Sequence, residues 1–140
     1  MASPSALSAQ AHEFLEERHL GTLTTQRRDG SPHVTAAGFT FDPVDGTARV
    51  ICSARSQKAA NARRGGRAVV AQVEGRLWLS LEGPVRLLTS EGEVRRAERL
   101  YAARYKNPRP NPLRVVVEIR VDRVLGAASL LRAGDDRAGA

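Results

Sequence analysis

The sequence predicts an α+β fold in which about six mostly antiparallel strands form a small β-barrel flanked by about three helices. Three observations carry this reading. Short runs rich in β-branched residues are separated by Asp-Gly and Gly-Pro turn signals. Three other segments have helical spacing or good helix formers, each opened by a serine. The 140 residues fit one domain able to bury a core of its own, with residues 1–8 and 132–140 expected as flexible tails.

The first helix is expected through "AQAHEFLEERHL", capped by Ser8, with Ala11, Phe14 and Leu15 on one face. "LGTLTTQRRDGSPHVTAAGFTFDPVDGTARVICSA" reads as a three-stranded meander, broken at "RRDGS" and "DPVDG". "SQKAANARRGG" has a capping serine and a Gly-Gly stop, which makes a short helix. Two strands follow, "RAVVAQVEG" and the long "RLWLSLEGPVRLLT", with a bulge or bend expected at Gly83-Pro84. In "SEGEVRRAERLYAARYK" Ser90 and Glu93 form a capping box, and Val94, Ala97, Leu100, Tyr101 and Tyr105 share a face. The prolines of "NPRPNP" end that helix, and "LRVVVEIRVDRVLGAASLL" reads as one final long strand. Apolar residues on both faces of "RAVVAQV" and "RVVVEI" exceed what one small barrel can hold, so an outer face is expected to pack on helices or on a second subunit.

With 41% hydrophobic and 26% charged residues the chain has the makeup of a folded globular protein. No apolar run approaches the ~20 residues that span a bilayer, and the N-terminus lacks a signal-peptide layout, so a cytoplasmic protein without membrane partners is expected. The single Cys52 excludes an internal disulfide, and His12, His19 and His33 have no metal-ligand spacing, so no metal site is expected. The net charge of +7 raises nucleic acid as a partner. The cations argue against it: twenty arginines and two lysines are scattered from Arg18 to Arg137 without runs longer than two, and aromatics for stacking are few.

Lysine is so rare here that Lys58, just inside a helix start, stands out. "SARSQK" joins a strand end to that helix and offers Ser53, Arg55, Ser56, Gln57 and Lys58 as hydrogen-bond donors, a set suited to an anion. A capped surface helix with a solvated lysine explains the same residues. Trp78 alternates with Leu77 and Leu79 and suits either a core or the wall of a planar-ligand site. Arg109 and Arg114 flank a rigid proline loop from which they could reach a carboxylate or phosphate. No catalytic nucleophile or base motif is present, so catalytic side chains stay unassigned.

In order and wording, "FLEERHLGTLTTQRRDGSPHVTAAGFTFD", "RSQKAANARRGG", "WLSLEG" and "RYKNPRPNPLRVVVEIRVDRVLG" resemble the split β-barrel flavin and deazaflavin oxidoreductases. This is the superfamily of pyridoxamine 5′-phosphate oxidase, and the wording is most similar to its coenzyme F-420-dependent biliverdin reductases. The resemblance implies a six-stranded antiparallel split barrel, homodimeric, with cofactor sites between the subunits. It implies that Lys58, Ser56 and Gln57 hold the cofactor phosphate with Asn61 one turn on. Pro32, His33, Val34, Val50, Ile51, Cys52 and Ser53 would line the deazaflavin ring, with Trp78 beside the ring or its ribityl chain. Arg55, Arg109 and Arg114 would pair with acid groups of a linear tetrapyrrole. The expected activity is hydride transfer from reduced F-420 to the C10 methine of biliverdin or a similar conjugated acceptor. Three alternatives stand beside it: an FMN enzyme of the same fold, a non-catalytic F-420 or tetrapyrrole carrier, and a nucleic-acid binder.

Overall fold

Residues 3–132 are described by a computed structural model. Its three α-helices are α1 (Ala9–Glu16), α2 (Gln57–Arg63) and α3 (Glu91–Arg104). Its strands are β1 (Gly21–Gln26), β2 (Pro32–Ala37), β3 (Thr40–Asp42), β4 (Thr47–Ser53), β5 (Arg67–Glu74), β6 (Leu77–Leu88), β7 (Arg114–Arg120) and β8 (Arg123–Gly126). All pairings are antiparallel, in the order β2-β1-β5-β6-β7-β4-β3, with β8 also on β6.

This corrects the expected three-stranded meander. The segment from Gly21 to Ser53 holds four strands, because the chain leaves the sheet at Gly38 and Phe39; β1 and β2 pair with each other, whereas β4 pairs with β3 and β7. The expected final long strand is likewise two. It turns at Val121 and Asp122, whose N–H groups donate to the carbonyls of Gly46 and Glu82, while Arg67 grips the Asp122 carboxylate. β6 serves both halves of the sheet, pairing with β8 through Leu79–Glu82 and with β7 through Val85–Leu88. Gly83 sits at the changeover, where a side-chain Cβ would collide with the Arg120 carbonyl.

Helix starts follow the predicted caps. The N–H groups of Ala11, Ala59 and Glu93 donate to the hydroxyls of Ser8, Ser56 and Ser90. The first helix ends earlier than "AQAHEFLEERHL" suggested, at Glu16. The N-terminal segment departs from the expected loose tail from Ser3 onward: Pro4–Ala6 form a 3-10 turn, and buried Leu7 bridges Leu131. At the other end Arg132 donates its N–H to the Ala6 carbonyl, and residues 133–140 of the second expected tail lie outside the described residues.

The main core lies between the sheet halves, with Leu23, Val70, Leu79, Leu81, Val117, Ile119 and Val124 closed by Phe14, Leu15 and Phe39. A second, smaller cluster answers the surplus of apolar residues on "RVVVEI". Val116 and Leu88, on the opposite face, pack under Val94 and Ala97 of α3. The corresponding face of "RAVVAQV" has no cover among the described residues. Val34 of β2, Val69 and Val73 of β5, Trp78 of β6 and Leu125 of β8 lie on that outer side, with Val73 directly opposite Trp78. Val34 is 60% and Val73 70% exposed.

A cationic cavity between β4, α2 and the proline loop

Where β4 runs into α2, the walls of a cavity of about 390 Å³ come together. The end of β4, Val50–Ser53, forms one side, and Ala36, Ala37 and Gly38 at the end of β2 form another. Tyr101 of α3 and Lys106, Pro108, Arg109 and Asn111 of the loop after it complete the opening with Lys58 and Arg114. Gly38 packs closely into this wall: a Cβ there would stand 3.2 Å from the rings of Tyr101 and Tyr105, so a side chain would press on both. Those rings lie 4.9 Å apart, and the Tyr105 hydroxyl donates to the His19 carbonyl, 2.7 Å, fixing the end of α3.

Among the described residues, four cations and no carboxylate line this cavity. Both lysines of the chain are among them, although only a tenth of its residues contribute to the wall. Arg114 is braced from outside, donating to Glu98 Oε2 at 2.7 Å and to the Arg109 carbonyl at 2.7 Å. The hydrogen bond from Arg114 holds the Glu98 carboxyl below its ordinary range. Burial pushes the Cys52 thiol up, against the opposing influence of Ser56 and Lys58, so this sulfur is a poor nucleophile at neutral pH.

The cavity brings together Val50, Ile51, Cys52, Ser53, Lys58, Arg109 and Arg114 of the residues singled out in the sequence. It does not include the others. Asn61 is buried at 1% exposure, with its amide donating to Thr25 Oγ1 at 2.9 Å and its carbonyl accepting from Gln57 at 2.8 Å and Arg64 at 2.7 Å. It joins α2 to β1. The Ser56 hydroxyl is engaged twice, donating to the Ser53 carbonyl and capping α2. Arg55 is exposed beside them. Pro32, His33 and Val34 start the strand whose far end, Ala36 to Gly38, forms the wall, which sets Pro32 roughly 13 Å from Ala36. Trp78 lies on the uncovered outer face.

Ala36, Ala37, Gly38, Tyr101, Lys106, Pro108 and Asn111 were missed. The rarity that marked Lys58 applies equally to Lys106 and would have found it. A separate cavity of about 500 Å³, beside the first half of α3, has mixed charge: Arg49, Arg86, Arg96 and Arg120 face Asp45, Glu93 and Glu118. Arg49 there pairs with Asp45 at 3.0 Å and Arg86 with Glu118 at 2.7 Å. His19 has each ring nitrogen against a different carboxylate, Glu17 at 3.1 Å and Glu74 at 2.7 Å.

Comparison with known proteins places the chain. The sequence profile of the pyridoxamine 5′-phosphate oxidase family matches residues 7–127. The chain belongs to this family. It is 58% identical over 125 residues to a reduced-F-420-dependent biliverdin reductase of Mycobacterium tuberculosis, an alignment covering 89% of this chain and 91% of the relative. Among solved structures it is similar to a conserved hypothetical protein of Mycobacterium tuberculosis, with TM-score 0.72, 25% identity and coverage of 90% and 89%. It also shares its fold with a protein described as an F-420 reductase, with TM-score 0.66, 22% identity and coverage of 81% and 94%.

Proposed function

We propose that the chain is an F-420-dependent reductase that reduces biliverdin at its C10 methine to bilirubin, or a similar conjugated planar acceptor. The observation that carries this reading is a cavity in a split-barrel chain that gathers both lysines and two arginines and, among the described residues, no carboxylate. Such a wall suits a polyanionic cofactor and fits the deazaflavin, whose phosphate and glutamates are acidic. The 58% identity to a biliverdin reductase over nearly its whole length supports the same activity here.

In this reading Lys58 holds the phosphate, and the backbone of Val50 to Ser53 supports the ring edge. Bound reduced F-420 supplies a hydride. The apolar stretch of β4 and the side of Tyr101 exclude water from the transfer path, and a proton completes the two-electron reduction of the acceptor.

A homodimer with a six-stranded barrel in each subunit belongs to the proposal. Ala36 is part of both the cavity wall and the uncovered outer face that carries Val34, Val73 and Trp78. A second copy seated on that face adjoins the cavity and brings Trp78 to it.

The test is anaerobic mixing of the protein, reduced F-420 and biliverdin. Return of oxidised F-420 in step with loss of biliverdin is expected. Turnover with bound FMN and a pyridoxine-type phosphate, and none with F-420, would replace this reading with the FMN alternative.

A further inference from the structure

Two tyrosines stack at the end of α3, and only one has its hydroxyl engaged. Tyr105 donates to the His19 carbonyl at 2.7 Å and accepts from the Phe39 N–H at 3.2 Å, which ties it to the fold. Tyr101, with its ring 4.9 Å away, lines the cavity, and its hydroxyl has no hydrogen-bond partner among the described residues. Its direction follows from helical spacing. Val94 and Ala97 pack in the cluster that holds Ile51 of β4, and Tyr101 lies on their face, one turn beyond Ala97. The phenol therefore borders the end of β4, at the opening through which an acceptor reaches a ring supported by Val50 to Ser53. The other proton-bearing groups of the cavity are poor sources of a proton. Arg109 and Arg114 do not give theirs up, and the Ser53 hydroxyl and Asn111 amide carry no acidic proton. Lys58 and Lys106 serve the acid groups of the cofactor in the reading above. The Cys52 thiol is a weak donor, only 9% exposed.

We propose that Tyr101 is the general acid of the reduction, delivering the proton that accompanies hydride transfer. The proposal rests on the reductase reading above. The hydride given up by reduced F-420 carries both electrons and forms a bond to C10 of biliverdin. The double bond at C10 breaks, and its electron pair passes through the conjugated system to the imine-type nitrogen of the adjoining ring. That nitrogen takes the proton from the Tyr101 O–H. A phenolate is left until water returns a proton to it, and the four cations of the cavity offset its charge meanwhile. One hydride and one proton account for both hydrogens that the acceptor gains. Tyr105 is the positioning partner: its tied hydroxyl fixes the ring against which the Tyr101 ring rests.

The variant that tests this is Tyr101→Phe, which keeps the ring that closes the cavity and removes only the hydroxyl. Wild type and variant, each saturated with reduced F-420, are mixed with biliverdin without oxygen and followed through a single turnover. At about pH 8 the variant should be slower by about a hundredfold or more, the scale of a lost general acid. Its rate should climb about tenfold per unit as pH falls from about 8 to about 6, because hydronium replaces the phenol, while wild type stays level. A merely structural role would lower the rate equally at every pH. Independently of turnover, protein saturated with oxidised F-420 is titrated with biliverdin. The variant should bind it about threefold to tenfold more weakly, the scale of one hydrogen bond. Tyr105→Phe should lower Tm and keep the level pH profile. A Tyr101→Phe rate within about threefold of wild type at pH 8, parallel pH profiles, unchanged biliverdin affinity, or acid rescue appearing in Tyr105→Phe instead overturns the proposal while wild-type turnover leaves the reductase reading standing. Wild-type protein that binds F-420 and does not reduce biliverdin overturns the reductase reading and the proposal with it.

Discussion

Asn61 offers a direct contrast between a ligand contact and a structural knot. Replacing it with alanine removes the acceptor of the Arg64 and Gln57 hydrogen bonds and strands the Thr25 hydroxyl, itself 1% exposed. A buried hydroxyl left without a partner costs about 1–3 kcal/mol, and loss of the bond from charged Arg64 adds about 1 kcal/mol at a partly exposed position. The sum, about 2–4 kcal/mol, corresponds to a fall in Tm of roughly 8–16 °C for a domain of this size. Thermal unfolding followed by circular dichroism measures the first quantity, and F-420 titration well below both midpoints the second. The structure predicts a large Tm loss with F-420 affinity within about threefold of wild type, because Lys58 and the β4 wall are untouched. Adding Thr25→Val should recover part of the cost, since it removes the orphaned hydroxyl and exposes the coupling between the two sites. A Tm change below about 2 °C together with a tenfold or greater loss of F-420 affinity would refute this and put the Asn61 amide on the ligand.

Three further outcomes follow from the geometry. Glu98 is ionised more readily in the fold than in the unfolded chain, where its ordinary value is 4.5, so its contribution is present above that pH and is lost as pH falls through the lower folded value. Urea unfolding from pH 6 to 3 should therefore show wild type losing stability more steeply below about pH 4.5 than Glu98→Gln; parallel curves would contradict it. Burial of the Cys52 thiol should make it alkylate more slowly than a free thiol at pH 8, and more slowly still with saturating F-420, as read by mass spectrometry; no protection would place the cofactor elsewhere. Val73→Glu sets a charge on the uncovered apolar face beside Trp78, so light scattering should show a dimer in wild type and a monomer in the variant; equal masses would argue against that interface.

Much of the fold was legible because local signals agreed with the final packing. Ser8, Ser56 and Ser90 start helices where their spacing said they would, and Gly83-Pro84 marks the place where β6 passes from one half of the sheet to the other. What stayed hidden was pairing. Nothing local in "GSPHVTAAGFTFD" states that β1 will take β5 as its second neighbour, because that choice is made by burial of Leu23 against Val70 across a long stretch of chain. The corner at Val121 and Asp122 was invisible for a similar reason: an alternating run reads as one strand until the carbonyls of Gly46 and Glu82 claim its N–H groups.

The site divides the same way. Lys58 and the end of β4 are contiguous in sequence and line the cavity together. Gly38, Tyr101 and Lys106 reach the cavity only through the crossing of α3 over the sheet, and their individual residue types carry no distinctive spacing. Asn61 shows what a local argument leaves out. Helical spacing brings it near Lys58, yet the need to satisfy Thr25 turns its amide toward β1.

The most direct test of the central claim is a pair of fluorescence titrations, oxidised F-420 and FMN into purified wild-type protein and Lys58→Ala at moderate salt. The account predicts micromolar or tighter F-420 binding, weakened about tenfold or more by Lys58→Ala, with FMN binding poorly. Saturation by FMN alone, or F-420 binding indifferent to the loss of Lys58, would contradict it.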